Sequence, residues 1–138
     1  MALSANEVVE IHNRGLHERD FDLFASIFDD NVAVELPGSS FSGVDALKGV
    51  LGVFTTAFPD IKLTPRQVYA DGDAHSVEQV FTGTHDGPLA TPDGEVPPTG
   101  KPVTFDLIDT FVLRDGKVVE HRVYYDNYSF LSQLGLLG

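Results

Sequence analysis

Asp115-Gly116 lies between two long runs of alternating residues, 103–114 and 117–126. A two-residue Asp-Gly loop closes a hairpin through a type I′ turn, whose backbone twist matches that of the strands it joins. The pair therefore predicts a long antiparallel hairpin at the end of the chain. Side chains alternate along a strand. On the second strand Val118, Glu120, Arg122, Tyr124 and Asp126 share one face, which is dense in ionisable groups. Val119, His121, Val123 and Tyr125 share the other, which reads as core. A regular two-residue loop pairs Leu113 with Val118, Phe111 with Glu120, Asp109 with Arg122, Leu107 with Tyr124 and Phe105 with Asp126. That register predicts an Asp109–Arg122 ion pair and a nearby Asp126 among Phe105, Leu107, Phe111 and Tyr124. A mostly apolar surface with a few polar groups is how small-molecule pockets are lined.

The rest of the chain supplies what such a hairpin would pack against. Ser4-Ala5-Asn6-Glu7 has the spacing of a capping box, and Val8, Val9, Ile11 and Leu16 follow at roughly helical period. Phe21, Phe24 and Phe28 predict a second short helix, and Val32–Leu36 a strand stopped by Pro37-Gly38. Leu47, Val50, Leu51, Phe54 and Phe58 form a clean amphipathic stripe that ends at Pro59. Residues 61–70 and 74–84 read as strands around Asp71-Gly72-Asp73. The stretch from Asp86 to Pro102, rich in Pro, Gly and Asp, reads as a long loop of the kind that serves as a lid. A short helix over 128–134 closes the chain. Helices followed by long strands give an α+β domain covering 1–138, a curved and mostly antiparallel sheet with helices on its concave face and a pocket between.

A hydrophobic content of 42% is enough for a core without staples, and the absence of cysteine excludes thiolate chemistry and suits a reducing, cytoplasmic setting. No apolar run precedes the first helix signal, so no secretory leader is expected. The net charge of −12 repels phosphate backbones, which argues against nucleic acid or an anionic membrane as partner.

Among chemistry-bearing residues, Asp126 has two readings. It is the N-cap of the last helix, or a carboxylate held off from water by Phe and Tyr and suited to act as general base. Asp109–Arg122 reads as a supporting salt bridge. His85 ends a strand at the mouth of the long loop, either exposed or placed to bond a substrate carbonyl. His121 falls on the core-like face and reads as structural. His12 and His17, five residues apart, miss the spacing for joint ligation, and no cluster in the sequence has metal-ligand spacing, so neither metal nor cofactor is expected. Gly-x-Ser-x-Gly is absent, and Pro98-Thr99-Gly100-Lys101 lacks the glycine spacing of a phosphate loop.

These segments, in this order, resemble a known family. Phe41-Ser42-Gly43, Gly83-Thr84-His85-Asp86-Gly87, Pro98-Thr99-Gly100-Lys101, Asp115-Gly116-Lys117-Val118-Val119-Glu120, Asp126 and Gln133-Leu134-Gly135 are similar to the SnoaL-like polyketide cyclases (ester cyclase-like) of the NTF2-like superfamily. The resemblance implies a cone-shaped α+β barrel, commonly dimeric through its sheet, with Val119, Val123 and Tyr125 as the outward apolar face. It implies a metal-free aldol cyclisation or isomerisation of a small hydrophobic carbonyl compound, with Asp126 as acid/base and His85 in the pocket. Tyr124, Arg122, Asp109, Phe105, Leu107 and Phe54 would contact the substrate. A non-catalytic small-molecule binder is the alternative. Two features depart from the family: Arg122 stands where many relatives carry Trp, and the 86–102 loop is longer than usual.

Overall fold

The computed structural model describes residues 3–137; residues 1, 2 and 138 of the expected domain lie outside the described residues. Helix α1 (Ala5–His17) starts at the capping box, with the Ser4 hydroxyl accepting from Glu7 N–H and the Glu7 carboxylate from Ser4 N–H. It buries Val8, Val9, His12 and Leu16. Helix α2 (Phe21–Ala25) is a single capped turn, and Phe28 opens a strand rather than continuing it. Strands β1 (Phe28–Leu36) and β2 (Ser39–Ser42) form a hairpin that leads into α3 (Val44–Ala57). Six strands follow: β3 (Lys62–Asp71), β4 (Ala74–Thr84), the short β5 (Leu89–Thr91) and β6 (Gly94–Val96), then β7 (Pro102–Arg114) and β8 (Lys117–Tyr125). Helix α4 (Asn127–Gln133) ends the fold.

The main sheet runs β2-β1-β8-β7-β4-β3. All its pairs are antiparallel except β1 with β8, which the intervening helices and strands bring alongside in parallel. The sheet curves round α1 and α3 without closing into a barrel, and its inner face carries the core. The 86–102 segment is not a structureless lid. It contains a small hairpin of β5 (Leu89–Thr91) and β6 (Gly94–Val96), anchored by the buried Leu89. No helix among the described residues is long and apolar enough to cross a membrane.

The last hairpin forms as expected at its turn and differs beyond it. Asp115 and Gly116 both have positive φ, as a type I′ turn requires, and Arg114 pairs with Lys117 and Leu113 with Val118. Then a β-bulge at Val119 adds one residue to β8, so that Val112 pairs with Glu120, Phe111 with His121 and Asp109 with Val123. Because side chains alternate with period two, a one-residue slip exchanges the two faces of a strand. Above the bulge, His121, Val123 and Tyr125 turn inward, and Arg122 and Tyr124 turn outward.

Candidate active site

Between the helices and the inner face of the sheet lies a cavity of about 90 Å³. Its walls are almost wholly apolar: Leu16 from α1, Phe24 from α2, Leu47, Leu51 and Phe54 from α3, and Phe81, Phe105 and Leu107 from the sheet. One end is aromatic. Phe81 and Phe105 stack at 4.6 Å, and Phe54, Tyr125 and the buried Phe130 of α4 pack around them. The other end is polar. His12, Asp109 and His121 meet there, each buried, and each offers a ligand-type atom within 4.8 Å of the others'. Strand β7 spans the gradient, because Phe105, Leu107, Asp109 and Phe111 share its inner face.

A chain of hydrogen bonds fixes the polar end. Asp109 Oδ2 accepts from Gln79 Nε2 at 2.7 Å, Gln79 Oε1 accepts from Asn13 Nδ2 at 2.6 Å, and Asn13 Oδ1 meets His12 Nδ1 at 2.8 Å. An ionised carboxylate only accepts, so it sets the direction of every bond behind it. Gln79 must turn its amide nitrogen to Asp109, Asn13 must turn its own to Gln79, and His12 must carry its proton on Nδ1. His121 is fixed independently, since its Nδ1 lies 3.1 Å from the Thr110 carbonyl, which can only accept. On His121, which burial keeps uncharged, this tautomer leaves Nε2 unprotonated. The remaining Asp109 oxygen, Oδ1, lies 3.7 Å from His121 Nε2. One ligand-type atom from each of His12, Asp109 and His121 therefore lies within 4.8 Å of the others.

That 3.7 Å contact has the geometry of an ion pair, but burial keeps His121 uncharged. Removal of the ring from water pulls its pKa down from 6.5 to about 4, and the nearby Asp109 charge only partly opposes this. Phe111 stacks on the same ring at 4.8 Å, and Phe28 and His12 close around it. At the aromatic end, burial raises the pKa of Tyr125, so its phenol stays protonated and can donate.

Of the expected contact residues, Phe54, Phe105, Leu107 and Asp109 do line the cavity. The others are corrected by the bulge and by capping. Arg122 lies on the outer face, 3.5 Å from Glu35 and 3.7 Å from Glu120, and does not touch Asp109. Tyr124 is 52% exposed on that face. Val123 and Tyr125, expected to face outward, line the cavity, and Val119 is the bulge residue. Asp126 is exposed and is the N-cap of α4, its Oδ1 accepting from Ser129 N–H at 3.1 Å. One of its two sequence readings is thus realised, and the carboxylate lies outside the cavity lining. His85 is fully buried but also outside it. Its Nδ1 is held by the Thr99 hydroxyl at 3.0 Å and the Thr99 N–H at 3.2 Å, and its ring packs on Phe58. Burial lowers its pKa.

The residues missed were His12, His121, Gln79 and Tyr125. His12 did carry a signal, because it falls on the stripe of Val8, Val9 and Leu16 that the helix buries. Asp109 carried another, as the single acid in an inward row of Phe105, Leu107, Phe111 and Leu113.

The family model for SnoaL-like polyketide cyclases matches residues 6–134. The chain belongs to that family. Three solved structures share the SnoaL-like fold. AclR from Streptomyces galilaeus, a candidate hydroxylase, is 24% identical with a TM-score of 0.81, over 96% of this chain and 82% of its own. IdmH from Streptomyces antibioticus, a candidate polyketide cyclase, is 24% identical with a TM-score of 0.78, over 96% and 99%. A candidate SnoaL-like polyketide cyclase from Jannaschia sp. CCS1 is 22% identical with a TM-score of 0.84, over 97% and 92%. No curated protein matches the chain.

Within this SnoaL-like chain the recognisable motifs are mainly structural. Thr84 is bonded through N–H and hydroxyl to Asp60 at 2.7 and 2.9 Å, tying the strand end to the turn after α3. Gly87 lies so close to the Thr56 carbonyl that a Cβ would collide with it, and its N–H reaches the Ala57 carbonyl at 3.1 Å. Gln133 clamps both backbone groups of Thr104 at 2.9 Å. These clamps tie the ends of β4 and β7 to the end of α3 and to α4, and none of their residues lines the cavity.

Proposed function

We propose that this SnoaL-like protein is a cyclase- or isomerase-type enzyme that moves a proton on a small apolar carbonyl compound, with Asp109 as the base. The observation that supports this most is the buried Asp109 carboxylate, braced by Gln79 and grouped with the His12 and His121 imidazoles within 4.8 Å at the end of an apolar cavity. A buried carboxylate with one oxygen free of hydrogen-bond donors can receive a proton. A substrate C–H acidified by a neighbouring carbonyl supplies one. The amide chain behind Asp109 holds the carboxylate so that Oδ1 alone faces the substrate.

Tyr125 completes the pair of roles. Asp109 is opposite Val123, so Tyr125 is its diagonal neighbour across the two strands, at about 7–8 Å. Both line the same cavity, so a carbonyl compound lying along it can reach from the base towards the phenol. Removal of the α-proton by Asp109 sends the electron pair to oxygen, where the Tyr125 hydroxyl stabilises the enolate. The enolate then attacks a second carbonyl of the same molecule or is reprotonated at another carbon. Apolar walls favour a substrate without charge. The small volume favours a compact ring system over a polycyclic one.

The test is deuterium incorporation from D2O at the activated carbon of small cyclic 1,3-dicarbonyl compounds, with a chelator present. Exchange faster than buffer that Asp109→Asn abolishes is expected. Exchange equal in the two proteins overturns the assignment. As in the expectation from resemblance, we also assign assembly to the outer sheet face, which exposes Tyr69, Ile108 and Tyr124. Sedimentation as a monomer at micromolar concentration counts against it.

A further inference from the structure

We propose that His12, Asp109 and His121 form a binding site for one divalent first-row transition-metal ion, held by two imidazole Nε2 atoms and one carboxylate oxygen. This goes beyond the proton-transfer reading and does not depend on it. An ion bound here takes up the lone pairs that proton transfer uses, so the two occupancies exclude each other.

The site is built in both shells. Histidine ligands characteristically donate their second ring N–H to a carbonyl or carboxylate, which orients the ring and raises its basicity. His121 does this through Nδ1 to the Thr110 carbonyl, and His12 through Nδ1 to the Asn13 amide oxygen. The ligating carboxylate is in turn usually hydrogen-bonded through its other oxygen, and Asp109 Oδ2 accepts from Gln79. The ring and carboxylate atoms behind the common point are thus already engaged: both Nδ1 atoms and Asp109 Oδ2. Bonds of about 2.0–2.2 Å place ligand atoms about 3–3.5 Å apart round a tetrahedral or octahedral ion. Asp109 Oδ1 and His121 Nε2 already stand 3.7 Å apart, and all three atoms lie within 4.8 Å. A small rotation of the His12 ring closes the rest.

The donor set chooses the class of ion. Two imidazoles and one carboxylate suit zinc, iron, cobalt, nickel or copper better than magnesium or calcium, which prefer all-oxygen shells. Three protein ligands on one side leave the positions facing the cavity open, as in metal sites that bind water or substrate.

The site needs three parts of the fold at once: α1, an inward position on β7, and an inward position on β8 created by the Val119 bulge. Sequence spacing could not show it, since the ligands stand at 12, 109 and 121.

The test is titration of the chelator-treated, dialysed full chain with Co2+, without substrate. Saturation at one equivalent is expected, with visible absorption of cobalt bound by nitrogen and oxygen. His12→Gln and His121→Gln should each weaken binding at least tenfold. In the wild type, Zn2+ should move the ring NMR signals of His12 and His121 and leave those of His17, His75 and His85 in place. This readout needs no variant to fold. The proposal is overturned by cobalt that does not saturate at one equivalent, by binding unchanged in both variants, or by zinc that leaves the His12 and His121 signals unmoved. None of these outcomes bears on deuterium exchange measured with chelator, so each reading stands or falls alone.

Discussion

His121 makes a strong and specific prediction about acid stability. Its ring is buried and uncharged in the folded protein, where its pKa is about 4, against 6.5 for the ordinary side chain. Between those values the unfolded chain binds a proton that the folded chain refuses. Stability therefore rises with pH across the window, being fully present above 6.5 and lost as pH falls towards 4. Each pH unit is worth about 1.4 kcal/mol, so the interval amounts to about 3 kcal/mol. A chain of 138 residues has an unfolding entropy of about 0.3 kcal/mol/K at about 2.1 cal/mol/K per residue. The loss then lowers Tm by about 10 °C. His17 and His85 are also pulled down by burial and act in the same direction. Their part is removed by comparison with His121→Gln, whose amide can still donate to the Thr110 carbonyl. Thermal unfolding of both proteins from pH 4 to 7.5 gives a difference curve. The wild type should lose about 3 kcal/mol more than the variant on acidification, and the His121 ring should titrate near 4 by NMR. A flat difference curve, or a ring that titrates above 6, would refute the burial argument and with it the assigned tautomer.

Other outcomes follow from the same contacts. Asp126→Ala removes the N-cap of α4 and should cost about 1 kcal/mol in chemical denaturation while leaving deuterium exchange intact. His85→Ala strands the Thr99 hydroxyl and opens a hole beside Phe58, costing about 3 kcal/mol, again with exchange per folded molecule unchanged. Gly87→Ala drives a Cβ into the Thr56 carbonyl and should be the most damaging of the small substitutions, seen as loss of folded protein on expression at 37 °C.

Most of the architecture was legible because it rests on periodicities and turn chemistry that local sequence carries. The capping box at Ser4–Glu7, the stripe on α3 and the Asp115-Gly116 turn all formed as read. The family also followed from ordered segments whose work is structural. The site was legible only in part, for one physical reason. A single extra residue at Val119 reverses which side chains of β8 face the cavity, and nothing local distinguishes Val118-Val119 as a bulge from Val118-Val119 as regular strand. Read without the bulge, Asp109 finds Arg122 and His121 looks like background. Read with it, Asp109 finds His121, and Arg122 turns out towards Glu35 and Glu120. The His12–Asn13–Gln79–Asp109 chain was out of reach for another reason. It joins a helix to two strands across 66 and 30 residues of sequence. The reading of Asp126 shows the converse. Its capping role was one of the two readings open in the sequence, visible from its place before a helix, and the structure realises it.

In our proposal the buried Asp109 is the base and the exposed Asp126 remains a helix cap. The most direct measurement compares Asp109→Asn with Asp126→Asn in the D2O exchange assay, with chelator, at matched folded concentration. In the first variant Gln79 can still donate to the new amide oxygen and the amide nitrogen can donate to His121 Nε2, so the fold is kept while the base is gone. At least a hundredfold loss of exchange is expected in Asp109→Asn, and wild-type exchange in Asp126→Asn. Wild-type exchange in Asp109→Asn together with its loss in Asp126→Asn would contradict the proposal.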